Sequence, residues 1–99
     1  MEIKIYISGA VTGTEDYMER FEAAEKKLTE AGYSVINPAK INSFLPVDTT
    51  YKQYMNMSIT MLSMCSHIYM LKGWDESLGA NREYGYALAR GMTVWHEEA

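Results

Sequence analysis

The sequence predicts an α/β fold in which strands and helices alternate along a single domain, residues 1–99. Two observations indicate this fold. The first 36 residues contain two short apolar runs, typical of strands, on either side of a segment whose apolar residues recur at helical spacing. The alternation then continues, giving four strand-like runs and three helix-like segments in all. Since a strand–helix–strand unit joins parallel strands through a right-handed crossover, we expect a parallel sheet with helices on both faces.

The first strand is predicted at Ile3–Ser8, where β-branched and aromatic residues form an apolar run. Small residues follow from Gly9 to Thr14 and would let the backbone approach a ligand closely. Thr14 is also a candidate cap for the first helix, which Gly32 ends. The second strand is predicted at Tyr33–Ile36, and Pro38 prevents its continuation. The apolar face of the first helix consists of Tyr17, Phe21, Ala24, Leu28 and Ala31.

An irregular segment, Lys40 to Thr50, precedes the second helix. It is a candidate lid or interface loop, although an ordinary surface loop is the simpler interpretation. The second helix carries Ser58 on its apolar face, as a polar interruption of that face. The apolar positions are Tyr51, Tyr54, Met55, Met61, Leu62 and Cys65.

The remaining elements are a third strand at His67–Leu71, a third helix at Ser77–Arg90 and a last strand at Met92–Trp95. Together the elements predict a small doubly wound, flavodoxin-like sheet with strand order 2-1-3-4. That order puts the switch point between the first and third strands. The loops Gly9–Thr14 and Lys72–Ser77 should therefore face each other and form a ligand site.

Composition argues against several classes of partner. Hydrophobic residues make up 47% of the chain and charged residues 22%, as in soluble globular proteins. The net charge of −4 argues against binding a nucleic-acid polymer, which needs a basic face. The single cysteine, Cys65, provides neither a disulfide framework nor a cysteine-based zinc site, and it favours the cytoplasm. We expect no signal peptide, no membrane span, no metal and no cofactor.

Glu83 is the strongest candidate for a chemical role. It follows Ala80 by three positions and precedes Ala87 by four, so the three residues share one helical face. The alanines allow that face to lie close to the sheet, and the helix dipole favours the ionised carboxylate. This arrangement suits a nucleophile or an electrostatic stabiliser, and the alternative is a surface glutamate near a helix start.

The loop before this helix offers further candidates. Asp75 and Glu76 are carboxylates, and two carboxylates flanking a glycosidic bond would suit glycosyl transfer. Ser77 is most simply a helix cap, and it could also hold a phosphate or a ribose hydroxyl with the free backbone N–H groups that follow it. Aromatic side chains at this end could stack on a base or pack in the core: Tyr6, Trp74, Tyr84 and Tyr86.

The segments Lys4–Gly9 and Gly73–Ala87 resemble the nucleoside 2-deoxyribosyltransferase superfamily, which includes deoxynucleoside 5′-monophosphate N-glycosidases. The similarity covers nearly the whole chain in element order and is greatest to a short branch in bacterial and phage genomes. Its most specific part is Ser-x-Gly-x-x-x-Glu-x-Gly-x-Ala, which Ser77 to Ala87 satisfies.

The resemblance implies roles for individual residues. Glu83 would be the nucleophile that takes the deoxyribosyl group, and Tyr6 would position it. Ser77 would contact a 5′-phosphate, and the loop from Gly9 would lie near the sugar. The family is oligomeric, so we also expect a homo-oligomer. The full set of predicted ligand contacts is Ser8, Gly9, Ser58, Gly73, Trp74, Ser77 and Gly79.

The sequence departs from the family at two positions. Ser58 and Ser66 occupy the places of two family aspartates, one of which contacts the base and assists proton transfer. Leaving-group protonation would then fall to Asp75, to Glu76 or to water, or it would be lost.

Three hypotheses follow. The protein cleaves or transfers the N-glycosidic bond of a nucleoside, a deoxynucleoside or a 5′-monophosphate through Glu83, with a small-molecule partner. Alternatively it is a nucleotide- or nucleotide-sugar-binding module that has lost the chemistry. In the third hypothesis it is an interaction protein whose second helix, with Tyr54 and Met61, forms an oligomer face.

Overall fold

Four parallel strands form one sheet in the computed structural model, which describes residues 2–98. The strands are β1 (Lys4–Ser8), β2 (Ser34–Ile36), β3 (His67–Met70) and β4 (Thr93–His96). Their order is β2-β1-β3-β4, and each neighbouring pair is parallel. The predicted flavodoxin-like topology is therefore confirmed, and the carboxyl ends of β1 and β3 lie side by side at the switch point.

Four α-helices of residues 2–98 cover the two faces of the sheet. They are α1 (Tyr17–Glu30), α2 (Pro38–Asn42), α3 (Tyr51–Ser63) and α4 (Leu78–Ala89). Buried residues of α1 and α2 belong to one apolar cluster, and buried residues of α3 and α4 belong to another. Within residues 2–98, no helix has the length and the apolar character needed to cross a bilayer.

The alternation of side chains along β1 divides the core into these two clusters. Ile5 and Ile7 pack with Phe21 of α1, whereas Tyr6 packs with Leu62 of α3 on the other face. All four of these β1 and α3 apolar side chains are fully buried. Because successive strand residues point to opposite faces, the face that carries Tyr6 also carries Ser8. Both hydroxyl groups are thereby directed toward α3 and α4.

The helix α2 was not predicted. Its first residue is Pro38, and the Asn37 side chain caps it by accepting a hydrogen bond from the Lys40 N–H at 3.2 Å. Pro38 therefore both ends β2 and begins a helix, since proline fits the first helical position well. The prediction of irregular structure from Lys40 was wrong as far as Asn42, and the segment from Ser43 to Thr50 contains turns and bends.

The predicted cap of α1 was also wrong. Thr14 lies two residues too early, and its hydroxyl donates to the carbonyl oxygen of Val11 at 3.1 Å, which closes a turn in the loop after β1. Asp16 occupies the capping position without a side-chain hydrogen bond to the helix. The loop is consequently longer than expected, and α1 begins at Tyr17.

Candidate functional site

Glu83 lies on the sheet-facing side of α4 with only 7% of its surface exposed. Ala80 and Ala87 flank it on the same face and are almost fully buried. This is the shared face that the spacing of the three residues predicted. Small neighbours bring α4 close to the sheet, so the carboxylate of Glu83 reaches the side chains of β1.

Two hydroxyl groups of β1 hold the Glu83 carboxylate. Tyr6 donates its hydroxyl to Oε2 of Glu83, and Ser8 donates to Oε1 at 2.6 Å. Each carboxylate oxygen thus has one donor and keeps a further lone pair for a ligand. Hydrogen bonds donated by these hydroxyl groups stabilise the ionised form of the carboxylate.

Burial and hydrogen bonding have opposite effects on Glu83. Burial raises the pKa of its carboxyl group, and the hydrogen bonds from Ser8 and Tyr6 lower it. The pKa of the Tyr6 hydroxyl is raised well above its ordinary value, first by burial and then by the charge of Glu83, while Ser58 lowers it. Tyr6 is therefore a neutral donor over the physiological pH range, and its role toward Glu83 is positional.

Glu83 forms part of the wall of a cleft with a volume of about 800 Å³. The end of β1 with its following loop, α2, α3 and the start of α4 surround this cleft. Two carboxylates line it, Glu76 and Glu83, and no lysine, arginine or histidine of residues 2–98 does so. The remaining polar side chains of the wall include Thr12, Asn42, Ser43, Tyr51, Tyr54, Ser58 and Ser77.

Six of the predicted site residues meet in this cleft. They come from β1 and its loop, from α3, and from the start of α4, which are distant in sequence. Ser77 caps α4 as predicted, accepting from the Ala80 N–H at 3.1 Å. The six residues are Tyr6, Gly9, Ser58, Ser77, Gly79 and Glu83.

The structure places Ser8 behind Glu83, not in the cleft wall. It is fully buried, and its hydroxyl is directed to the carboxylate. Ser8 therefore holds the Glu83 carboxylate, and its predicted contact with a ligand stays a prediction. The signal was present in the sequence, because Tyr6 and Ser8 are two hydroxyl residues on one face of an apolar strand.

Gly73, Trp74 and Asp75 also lie outside the cleft wall. Gly73 has a φ of 82°, and this left-handed turn starts a short 3-10 helix, Trp74–Glu76. The turn directs the Trp74 ring away from the cleft onto Tyr84, with ring centroids 4.7 Å apart. Asp75 and Glu76 are both exposed. Asp75 accepts a hydrogen bond from Asn81 through its carbonyl oxygen, and Glu76 is the carboxylate of this loop that lines the cleft.

The loop before Ser77 is fixed at Lys72 by side chains from two other elements. The Lys72 carbonyl oxygen accepts from Nη2 of Arg20 at 2.5 Å, and its N–H donates to Oε1 of Glu97 at 2.8 Å. Both backbone groups of one residue are thus satisfied from opposite sides. This anchorage sets where Glu76 and Ser77 enter the cleft.

Of α3, sequence reasoning named only Ser58 as a site residue and missed Tyr51, Tyr54 and Met55. Tyr54 lines the cleft, and Met61 is half-buried against the apolar cluster of α3 and α4, whereas an oligomer contact of this helix stays a prediction. The spacing of Tyr51, Tyr54 and Ser58 places them on one helical face, which could have identified this wall of the cleft. Leu45 and Val47 of the predicted lid or interface loop also line it.

No group of three or more histidine, cysteine, aspartate or glutamate side chains within residues 2–98 is arranged to hold a metal ion. The polar groups of the cleft are two carboxylates, hydroxyls and one amide. A carboxylate fixed by two donors can act as a nucleophile, or it can stabilise a positively charged transition state.

Comparison with known proteins places the chain in a family. Residues 3–96 match the family described as "Domain of unknown function (DUF4406)", and the chain belongs to it. Among solved structures it is similar to a 2-deoxyribosyltransferase from the psychrotolerant bacterium Bacillus psychrosaccharolyticus. The TM-score is 0.75 at 16% sequence identity, over 94% of this chain and 70% of that one. No curated protein matches the sequence. The chain therefore has the fold of a 2-deoxyribosyltransferase.

Proposed function

We propose that this protein cleaves or transfers the N-glycosidic bond of a nucleoside, a deoxynucleoside or a 5′-monophosphate, with Glu83 as the nucleophile. The observation that carries the proposal is the Glu83 carboxylate, buried in the wall of the cleft with a hydroxyl donor on each oxygen. The fold of the 2-deoxyribosyltransferase and the sequence motif from Ser77 to Ala87 support it.

The cleft suits a ligand of nucleoside size. Its volume of about 800 Å³ lies within the usual range for small-molecule sites. Tyr51 and Tyr54 of α3 line the cleft and provide aromatic rings on which a base can stack. A sugar next to Glu83 would then have its base directed toward α3.

The reaction would proceed in two steps. An oxygen of Glu83 forms a bond to the anomeric carbon as the bond from that carbon to the base nitrogen breaks, and the electron pair leaves with the base. The base takes up a proton and departs. Water or a second base then attacks the anomeric carbon, which breaks the ester to Glu83 and regenerates the carboxylate. Tyr6 and Ser8 hold Glu83 in place during both steps.

The proton for the departing base would come from Glu76 or from water. Ser58 occupies the place where the resemblance has an aspartate, and its hydroxyl, buried beside Tyr6, is too weak an acid for this task. Glu76 is the second carboxylate of the cleft. Asp75, which we expected to share this role, lies outside the wall of the cleft.

Release of free base tests the proposal directly. Purified protein is incubated with deoxynucleosides, ribonucleosides and their 5′-monophosphates, with and without an acceptor base. We expect turnover of at least one compound and a loss of about 10³-fold or more in Glu83→Gln, since the amide cannot act as a nucleophile.

Glu25→Gln is the matched control for this test. Glu25 is a partly buried carboxylate that accepts a hydrogen bond from Asn37 at 3.1 Å, but it lies outside the cleft wall. Its variant should retain wild-type turnover. Absence of base release from every compound, or equal rates in Glu83→Gln and the wild type, would show that the proposal is wrong.

A second candidate function is a nucleotide- or nucleotide-sugar-binding module without turnover. The presence of Ser58 in the cleft wall favours it, because base departure without a positioned acid loses about 10²- to 10⁴-fold in rate. Under this hypothesis nucleosides raise the thermal midpoint of unfolding without releasing base. Ser58→Asp would then restore measurable base release if the missing acid is the only defect.

A further inference from the structure

We propose that Arg20 is a positioning residue for the candidate site and acts on ligand affinity from outside the cleft wall. Through the carbonyl oxygen of Lys72, it ties α1 to the loop that brings Glu76 and Ser77 into the cleft. The inference rests on the proposed function, since the ligand whose affinity Arg20 sets is the nucleoside or nucleotide proposed above.

Arg20 joins two parts of the cleft wall that are distant in sequence. The helix α1, on which it lies, contributes Tyr17 and Phe21 to the wall, and the loop Lys72–Ser77 contributes two further residues. The Arg20 side chain is half-buried, and its Nη2 donates to the Lys72 carbonyl oxygen at 2.5 Å. This bond therefore fixes the loop relative to α1.

The residues from Leu71 to Trp74 form a β-turn whose central peptide group carries this carbonyl oxygen. The Trp74 N–H donates to the Leu71 carbonyl oxygen at 3.1 Å, and Gly73 has a φ of 82° and a ψ of 4°. Within residues 2–98 only glycines have a positive φ, so that of Lys72 is negative and the turn is of type II. Type I differs from type II by a rotation of the central peptide group, which reverses the direction of its carbonyl oxygen.

Gly73 permits both forms of the turn, because it has no Cβ atom to oppose either sign of φ. The preceding peptide group is held separately, since Oε1 of Glu97 accepts a hydrogen bond from the Lys72 N–H at 2.8 Å. Arg20 is the only hydrogen-bond partner of the central peptide group within residues 2–98. The Arg20 hydrogen bond therefore selects the type II turn, and the type II turn directs the carbonyl oxygen toward α1.

Loss of this tie should weaken ligand binding and leave the chemical step largely unchanged, because Tyr6 and Ser8 hold Glu83 independently. If the loop is in place in only a fraction of the molecules, the apparent affinity falls by that fraction. One hydrogen bond of ordinary strength shifts such an equilibrium by about three- to tenfold. In Arg20→Met we therefore expect KM to rise by up to that factor, with kcat near the wild-type value.

Two further variants test the turn itself. Arg20→Lys keeps a cationic donor on α1 and should restore most of the wild-type KM. Gly73→Ala should raise KM as Arg20→Met does, since a Cβ atom disfavours a φ of 82° although it would have no neighbour within 4 Å. Added to Gly73→Ala, Arg20→Met should have little further effect, because both variants act on the same turn.

The amide NMR spectrum reports the turn without any ligand. The Gly73 N–H belongs to the central peptide group, so its chemical shift should change in Arg20→Met and stay close to the wild-type value in Arg20→Lys. An unchanged Gly73 signal in Arg20→Met would show that Arg20 does not select the form of the turn.

Lys26→Met and Gly32→Ala are the matched controls. Lys26 is an exposed cation of α1, and Gly32 has a φ of 99° with no neighbour within 4 Å of a Cβ atom. Neither residue lines the cleft, so both variants should keep the wild-type KM. Urea denaturation of every variant measures loss of stability separately. An unchanged KM in both Arg20→Met and Gly73→Ala, or an equal rise in the controls, would overturn the inference.

The outcome separates this inference from the proposed function. Base release with a KM that Arg20→Met leaves unchanged would contradict the inference alone. If no compound releases base, the proposed function fails, and dissociation constants of the same nucleosides and monophosphates, measured by calorimetry, take the place of KM. Weaker binding in Arg20→Met and Gly73→Ala, restored in Arg20→Lys, would then support the inference. Unchanged binding, or no binding by the wild type, would contradict it.

Discussion

Tyr6 donates a hydrogen bond from its hydroxyl to Oε2 of Glu83, a residue 77 positions later in the chain. Two residues after Tyr6, Ser8 donates to the other carboxylate oxygen. The two bonds join the central strand β1 to α4 at the point where the cleft meets the sheet. Because both partners are donors, they offset the cost of burying a charged carboxylate. This pairing makes the ionised form of Glu83 available inside the protein.

Removing either donor should shift the pH dependence of base release. In Tyr6→Phe and in Ser8→Ala one stabilising hydrogen bond to the carboxylate is lost, so the pKa of Glu83 rises further. The reaction needs ionised Glu83, and the acidic limb of kcat against pH should therefore move to higher pH. A hydrogen bond to a charged group contributes about 1.5–3 kcal/mol, so kcat should fall by about 10- to 100-fold.

Tyr69→Phe is the control for these two variants. Tyr69 is a buried tyrosine of β3, but it belongs to the cluster on the α1 face of the sheet. Its variant should keep the wild-type pH profile. An unshifted acidic limb in both Tyr6→Phe and Ser8→Ala would show that the hydroxyl groups do not control the ionisation of Glu83.

Burial of Glu83 should also make stability depend on pH. The folded-state pKa lies above the ordinary value of 4.5, so this group contributes most to the free energy of unfolding below about pH 4.5. The contribution is lost as pH rises through the folded-state pKa. Relative to Glu83→Gln, the wild type should become progressively less stable as pH rises from about 4.

Urea denaturation of both proteins at a series of pH values between about 4 and 8 measures this effect. The other titrating groups are common to both proteins, and the cost of placing an amide between two donors adds only a constant, so the pH dependence of the difference between their free energies of unfolding reports Glu83. A difference that does not change with pH would indicate that Glu83 has the same pKa in the folded and unfolded chain. A difference of the opposite sign would indicate a lowered pKa.

The sequence predicted the alternation of strands and helices and the helical face of Glu83 from local patterns, and the strand order followed from the doubly wound fold class. Periods of two and of 3.6 residues locate strands and helices, and alternation of the two requires parallel pairing. The spacing of Ala80, Glu83 and Ala87 likewise determines a helical face without knowledge of other elements. Those predictions needed no long-range distance.

The predictions that failed depend on local turns or on distances between elements. Asn37-Pro38 is equally compatible with the end of a strand and with the start of a helix, and α2 was missed for that reason. The 3-10 turn after Gly73 decides that Glu76, and not Asp75, reaches the cleft. The role of Ser8 depends on how closely α4 approaches β1, which residue spacing does not specify.

Two glycines with different surroundings should respond in opposite directions to alanine. A Cβ atom on Gly9, at the end of β1, would lie 2.9 Å from Cδ1 of Leu71, which is fully buried. Gly9→Ala should therefore destabilise the protein by about 1–3 kcal/mol. In α4, a Cβ atom on Gly85 has no neighbour within 4 Å, and Gly85→Ala should stabilise by about 0.5–1 kcal/mol through helix propensity.

Thermal or urea denaturation of Gly9→Ala, Gly85→Ala and the wild type measures these two changes in the free energy of unfolding. If the two variants changed the free energy of unfolding by the same amount, either Leu71 would move aside without cost or the helix around Gly85 would fray. Because Gly9 also lines the cleft, the stability measurement is made without ligand. The comparison then reports packing at Gly9 and helix propensity at Gly85 without an effect of ligand binding.

Ser77 and Thr50 allow the capping of a helix to be separated from contact with the ligand. The Ser77 hydroxyl caps α4 and lines the cleft, whereas the Thr50 hydroxyl caps α3, accepting from the Gln53 N–H at 3.1 Å, and does not line it. Loss of either cap should lower the free energy of unfolding by about 1 kcal/mol. Only Ser77→Ala should also raise KM, because only it removes a polar group from the cleft wall.

Denaturation curves and steady-state kinetics of both alanine variants measure the two effects. If both variants raise KM equally, the change arises from reduced stability, and Ser77 acts only by holding the start of the helix that carries Glu83.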